Sequence, residues 1–292
     1  MSGARRPIVG TPEWAALVTA SKVPAILGIS PWESQRSLYH HMRGDVPLMG
    51  GTVTTRRGHY LEPAILAWWG DQHPEYTTVT RDVWCSMVPW GGATLDGLAF
   101  TDDGQWVIVE AKSAARRDEW GQPGTDEIPV HYLAQVQWQL AMTPDAARAH
   151  VAVLFGPGLE FAEYVVERDP ATEAALLRIC ETWHASLAQE IPPPLDDSVA
   201  TLDTMRRLHP DIDGQDMPLD PETATTYVTA CNHARDAEAA ARLAKSTLLD
   251  LMGTARTVSL DGTTIARRQP GRGDAISLIQ VAKTIGVTTD AA

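Results

Sequence analysis

The sequence predicts an α/β protein: a central mixed sheet flanked by helices, with a C-terminal helical and β-hairpin appendage. Three observations predict it. Segments with strand alternation (Thr77–Trp84, Gly92–Phe100, Trp106–Lys112, His150–Phe155, Phe161–Glu167) are interleaved with helical segments over the first 190 or so residues. Ile191-Pro-Pro-Pro-Leu195 then interrupts the pattern, because consecutive prolines favour an extended connector. Beyond it, Pro221–Met252 reads as one alanine-rich helix, with Ala237, Ala240, Ala244, Leu248 and Leu251 on one stripe. The expected organisation is a core over 1–191, a Pro/Asp-rich linker over 192–220 and an appendage over 221–292.

Each element has a local reason. Ser21 is placed to cap a short helix through Leu27, ended by Gly28, and Ser34–Met42 reads as the next helix. In Leu61–Trp69 the early Pro63 puts Glu62 in or before the first turn. Thr101-Asp-Asp-Gly104 is a hairpin turn between the second and third strands. Pro129–Met142 is a helix stopped by Thr143-Pro144, and Ala171–Gln189 is a long amphipathic one. Thr257–Arg268 reads as a hairpin turning at Asp261-Gly262.

Composition narrows the function. The chain has 292 residues, 44% hydrophobic and 21% charged. No stretch approaches the ~20 apolar residues of a membrane span, and no apolar segment follows Arg5 and Arg6, so a cytoplasmic location is expected. Cys85, Cys180 and Cys231 lie far apart, which excludes a zinc ribbon or a four-cysteine cluster. The net charge of −13 opposes a general DNA-binding surface, since phosphates are neutralised by Lys and Arg. The arginines, however, come in pairs: Arg5–Arg6, Arg56–Arg57, Arg116–Arg117 and Arg267–Arg268. A lone pair of arginines is as readily a solvated surface feature as a phosphate contact.

The chemistry concentrates in Thr94-Leu-Asp96-Gly97 and Val109-Glu110-Ala111-Lys112. Residues two apart on a strand share a face, so Glu110 and Lys112 point together out of an otherwise apolar strand. Pairing across the short turn brings Asp96 toward Glu110. Two carboxylates and the Ala111 backbone carbonyl form a hard-oxygen set suited to Mg2+, with Mn2+ also acceptable. Lys112 could hold or deprotonate a water, as metal-assisted phosphodiester hydrolysis requires. The same residues on an edge strand could equally form a surface salt bridge. Glu62 could serve only its helix start, and Gln135 could be an exposed helix residue. His59 and His73 read as packing or surface residues, and Trp68, Trp69, Trp84 and Trp90 as core.

Five ordered motifs carry a resemblance. They are Val18-Thr-Ala-Ser21 running on to Ile26-Leu-Gly-Ile-Ser-Pro31; Gly58-His-Tyr-Leu-Glu62-Pro; Thr94-Leu-Asp96; Glu110-Ala-Lys112; and Tyr132-Leu-Ala-Gln135-Val-Gln137. Together they resemble the YqaJ-type viral recombinase and lambda exonuclease family of PD-(D/E)XK nucleases, over roughly residues 14 to 142. The resemblance implies a restriction-endonuclease-like core and a Mg2+-dependent exonuclease acting on linear double-stranded DNA. It implies 5′ to 3′ digestion leaving 3′ overhangs for a single-strand annealing protein, a homo-oligomeric ring, and a phage or prophage origin in a bacterial host. By resemblance, Asp96, Glu110 and the Ala111 carbonyl bind metal, and Lys112 is catalytic. Glu62 serves a second metal or its waters, Gln135 orients the catalytic groups, and Ser21 lies near the DNA terminus. Lys22, Arg116 and Arg117 are the cations expected near DNA. The family's arginine for a terminal 5′-phosphate precedes the serine by seven residues; here that position is Trp14, leaving Lys22, Arg5, Arg6, Arg56 or Arg57 to stand in. An endonuclease or nickase on the same fold, or a non-catalytic DNA-binding or assembly protein, is the alternative.

Overall fold

In a computed structural model, which describes residues 7–46, 53–156, 158–271, 275–282 and 284 (backbone only at 77–80), the centre is a five-stranded mixed sheet. Its strands are β2 (Tyr76–Thr80), β5 (Gly97–Thr101), β6 (Trp106–Ala114), β7 (Ala146–Phe155) and β8 (Glu160–Glu167), in the order β2-β5-β6-β7-β8. β6 and β7 pair in parallel; every other neighbour is antiparallel. A smaller sheet holds β1 (Val18–Thr19), β4 (Gly91–Leu95) and β3 (Val83–Val88), in the order β1-β4-β3. The expected α/β architecture is thus what the chain forms.

The two faces of β6 carry different sequence. Val107 and Val109 bury against Ile65, Leu66 and Trp69 of α4 (Val53–Gln72), with Ala111 alongside. Ile108 enters the larger core on the other face, built with α2 (Val23–Ile26), α3 (Gln35–Arg43), α5 (Val130–Met142) and α6 (Pro170–Gln189). Each large aliphatic or aromatic side chain buried there contributes about 1.5–3 kcal/mol. Close packing also explains Gly92: a Cβ there would lie 2.4 Å from the Trp84 ring. Its carbonyl accepts from Trp138 Nε1 at 3.1 Å.

Several elements differ from the sequence pattern, each for a local reason. Thr77–Trp84 is not one strand: Asp82, at φ 55°, bends the chain between β2 and β3. Gly92–Phe100 also divides, β4 joining the small sheet and β5 the large one, with Asp96 at the switch. α4 starts at Val53, so Pro63 lies inside it and Glu62 is mid-helix rather than in the first turn. Ser21 caps nothing; it lies in a 3₁₀ turn, Ala20–Lys22, that leads into α2.

Within the stretch expected as linker, α7 (Val199–Leu208) is capped by Ser198, whose side chain accepts from Thr201 N–H. Thr201 and Thr204 hydroxyls sit 2.7 Å from those of Ser34 and Ser37, which ties α7 to α3. The chain accordingly divides into Met1–Asp211 and Ile212–Ala292. The second unit holds α8 (Pro221–Met252) and a sheet ordered β11-β10-β9, from β9 (Thr257–Leu260), β10 (Thr263–Pro270) and β11 (Ile276–Gln280). The sequence pattern shows the β9–β10 hairpin but not β11. Among the described residues, no helix is long and apolar enough to cross a membrane.

Candidate active site

The site forms where β5 and β6 part. Their ladder runs from Phe100↔Trp106 to Gly97↔Val109; one residue further, the chain leaves toward β4 while β6 continues to Ala114. Asp96 therefore stands at the freed edge of β6, and its Oδ2 accepts the Ala111 N–H at 2.9 Å. A residue's N–H and C=O leave a strand on the same edge. The Ala111 carbonyl thus faces the side that Asp96 occupies.

Glu110 points to the α5 face and is only 2% exposed. Its Oε1 accepts from Lys112 Nζ, and from Gln135 Nε2 at 2.7 Å. Its Oε2 accepts from Gln139 Nε2 at 2.6 Å. Lys112 Nζ also reaches Gln135 Oε1 at 3.4 Å and lies 5.0 Å over the Tyr132 ring. Gln135 and Gln139 are four apart on α5 and so share a face. Gln137 points elsewhere, donating to the Glu167 carbonyl at 2.8 Å. Gln139 lies outside the sequence motifs, and only its i+4 spacing from Gln135 marks it as a partner of Glu110.

Charge in this notch is unbalanced. Burial, then the nearby Glu110 charge, raises the Asp96 carboxyl well above the usual range. Burial also raises Glu62, with help from the Asp82 and Glu110 charges. Burial works to lower Lys112, but Glu110 and Asp96 outweigh it and hold its ammonium above the ordinary value. Glu62 comes from α4, on the other side of β6, and its Oε2 lies 3.9 Å from His59 Nδ1. It couples to Asp96 and Glu110 through charge rather than by a hydrogen bond. Three carboxylates against one lysine leave a deficit of positive charge, and every carboxylate and carbonyl donor is a hard oxygen. That set fits a divalent ion of the Mg2+ or Mn2+ kind.

The other predicted residues lie elsewhere. Ser21 is exposed, with its hydroxyl 3.3 Å from that of Thr19. Lys22 is buried, 8% exposed, and donates to the carbonyls of Ala15 (2.6 Å), Leu17 (2.7 Å) and Trp14 (3.3 Å). This lysine clamps the end of α1 (Pro12–Ala16) and is not available to a phosphate. Arg116 pairs with Asp118; Arg117 pairs with Glu160 at 2.9 Å and lies over Phe155. Arg56 and Arg57 are exposed on α4. Arg5 and Arg6 lie outside the described residues.

The Lys22 clamp yields a stability prediction. Lys22→Met leaves three carbonyls short of a donor and is expected to cost about 1–3 kcal/mol in urea unfolding at pH 7. Burial pushes the Lys22 ammonium down to about 8 from 10.5. Between those values the unfolded chain binds more protons at this residue, so its contribution grows as pH rises. Unfolding of both proteins at pH 7.5 and pH 10 should show the gap widening.

The family model described as YqaJ-like viral recombinase domain matches residues 9–146. No curated protein matches the chain. Among solved structures, an alkaline exonuclease (LHK-Exo) from Laribacter hongkongensis is 20% identical, with 60% of this chain and 90% of that one covered and a TM-score of 0.45. The same exonuclease in complex with dAMP gives 21%, 62% and 94%, and 0.47. A phage related exonuclease from Haemophilus somnus 129PT gives 13%, 60% and 96%, and 0.42. At these scores the likenesses say nothing of chemistry, and the assignment rests on the family model. Residues 9–146, and with them Glu62, Asp96, Glu110, Lys112 and Gln135, match the model of the YqaJ-like viral recombinase domain family.

Proposed function

We propose that the chain is a divalent-metal-dependent deoxyribonuclease that degrades linear duplex DNA from its ends. The observation that carries this reading is the meeting of Asp96, Glu110, Lys112 and Gln135 where β5 and β6 part, within a viral recombinase domain. Asp96, Glu110 and the Ala111 carbonyl would hold Mg2+ (or Mn2+), with Glu62 serving a second ion or its waters. When bound, such an ion neutralises phosphoryl charge and lowers the pKa of a coordinated water.

The chain's own groups do the rest. Lys112, kept as an ammonium by its acidic neighbours, donates to the attacking water or the scissile phosphate. Gln135 and Gln139 fix both oxygens of Glu110, so the carboxylate keeps its orientation through turnover. We assign 5′ to 3′ digestion, 3′ overhangs passed to a single-strand annealing protein, and a ring-shaped oligomer in the cytoplasm of a bacterial host. In such a ring the acidic outer surface would be separated from a channel that accepts DNA.

A covalently closed plasmid and its linearised form, each incubated with Mg2+, test the reading. The linear form is expected to be degraded and the closed circle to stay intact. Nicking of the circle would identify an endonuclease instead, and no hydrolysis of either a DNA-binding role. The pH profile gives a second test. Asp96 must be ionised to bind an ion, and its carboxyl sits well above the usual range. Activity should therefore fall on the acid side at a pH above the ~3.9 of an ordinary aspartate. Raising Mg2+ should move that limb to lower pH, because ion and proton compete for the same oxygen.

A further inference from the structure

Across the large sheet from Glu110, three elements bring a second group of ligands together. His73 follows the end of α4, His150 is on β7 and Glu163 is on β8. Among the described residues, theirs are the only His, Cys, Asp or Glu atoms that gather as a trio within 4.8 Å of one another. His73 Nε2 lies 2.8 Å from Glu163 Oε1 and 3.0 Å from Oε2. His150 Nδ1 lies 2.6 Å from the same Oε1, and Trp69 Nε1 donates to it at 2.8 Å. One carboxylate oxygen offers about two lone pairs, and three nitrogens converge on this one.

The tautomers sharpen the point. His73 Nδ1 lies 2.9 Å from Glu75 Oε1, so a proton sits on that nitrogen. In the neutral ring Nε2 is then a lone pair aimed at Glu163, and two acceptors at 2.8 Å repel unless a second proton or a metal ion lies between them. A carboxylate on the outer nitrogen of a histidine is also the usual partner that orients a metal-bound imidazole. The Trp69 ring stacks on His73 and the Tyr76 ring closes in beside both histidines, while His73 (17% side-chain exposure) and Glu163 (23%) keep the group open to solvent.

We propose that His73 Nε2, His150 Nδ1 and Glu163 form a binding site for a borderline transition-metal ion of the Zn2+ class, separate from the carboxylate notch at Asp96. Two imidazoles and one carboxylate suit zinc rather than magnesium. Bonds of ~2.0–2.1 Å in tetrahedral geometry place ligand atoms ~3.3 Å apart, a few tenths of an ångström beyond the 2.6–3.0 Å seen. The ion would stand where protons otherwise bridge the two histidines and Glu163, and would pin the end of α4 to β7 and β8. Metal on Nδ1 moves the His150 proton to Nε2, which is buried without a partner. The site is therefore expected to be weaker than a zinc centre whose ligands are all satisfied.

The experiment uses the full chain carrying Asp96→Asn, which disables the carboxylate notch, after chelator treatment and dialysis against Zn2+ with excess Mg2+. Bound zinc is then measured by atomic emission. One zinc per chain and a raised thermal midpoint are expected. His73→Gln, at the rim of the cluster, should abolish both, and Glu75→Gln should weaken binding about 10–100-fold. His150→Phe gives a third test if it folds. A folded Asp96→Asn chain that retains no zinc, or zinc binding equal in His73→Gln, would show that only protons hold the cluster and would overturn the proposal.

Discussion

Asp96→Asn is expected to lower DNA hydrolysis by on the order of 10²–10³-fold or more while leaving the fold intact. The asparagine carbonyl can still accept the Ala111 N–H now bound at 2.9 Å. What disappears is the charge that would hold a divalent ion, and loss of several kcal/mol of transition-state stabilisation gives that factor. Stability should move the other way. A carboxyl raised in the folded chain holds its proton more tightly than when unfolded, so stability is lost as pH rises through the unfolded and folded values. At pH 7 that loss is present in the parent and absent in the variant. Urea unfolding should therefore place the variant's midpoint at or above the parent's. A midpoint well below it would mean that Asp96 is structural.

Glu110→Ala is expected to be the most destabilising single change in the site. It strips the Lys112 ammonium of its carboxylate and leaves Gln135 and Gln139 Nε2 without their acceptor. Removing one partner of a buried pair typically costs about 3–5 kcal/mol, because the other charge stays behind unpaired. Adding Lys112→Met removes that orphaned charge and should recover part of the loss, on the order of 1–3 kcal/mol. Both proteins should be inactive. Equal unfolding midpoints for the single and double variants would show that the orphaned ammonium carries no cost once Glu110 is gone.

Strand alternation alone reveals that Glu110 and Lys112 share a face, and the short Thr101–Gly104 turn reveals that Asp96 approaches them. Both follow from local geometry with a period of two. The division of Gly92–Phe100 at Asp96 has no local signal, because both halves are apolar and extended and only the sheet they join differs. Yet that division is what frees the edge of β6. Glu62 looked like a helix-start acid because Pro63 usually marks a first turn; packing of Ile65, Leu66 and Trp69 against β6 sustains α4 through the proline instead. Lys22 looked available for DNA because basic residues usually are exposed, and nothing local shows three carbonyls waiting for it. His73, His150 and Glu163 meet only through tertiary structure, and their separations of 77 and 13 residues match no local motif.

The most direct test of the central claim is the rate of nucleotide release from end-labelled linear duplex, measured across a Mg2+ titration for the parent chain and Asp96→Asn together. The parent is expected to need added Mg2+ and to saturate with it, while the variant stays at least about a hundredfold lower throughout. Release that persists after chelation, or a variant curve that overlays the parent's, would contradict the claim that these carboxylates hold the ion for DNA hydrolysis.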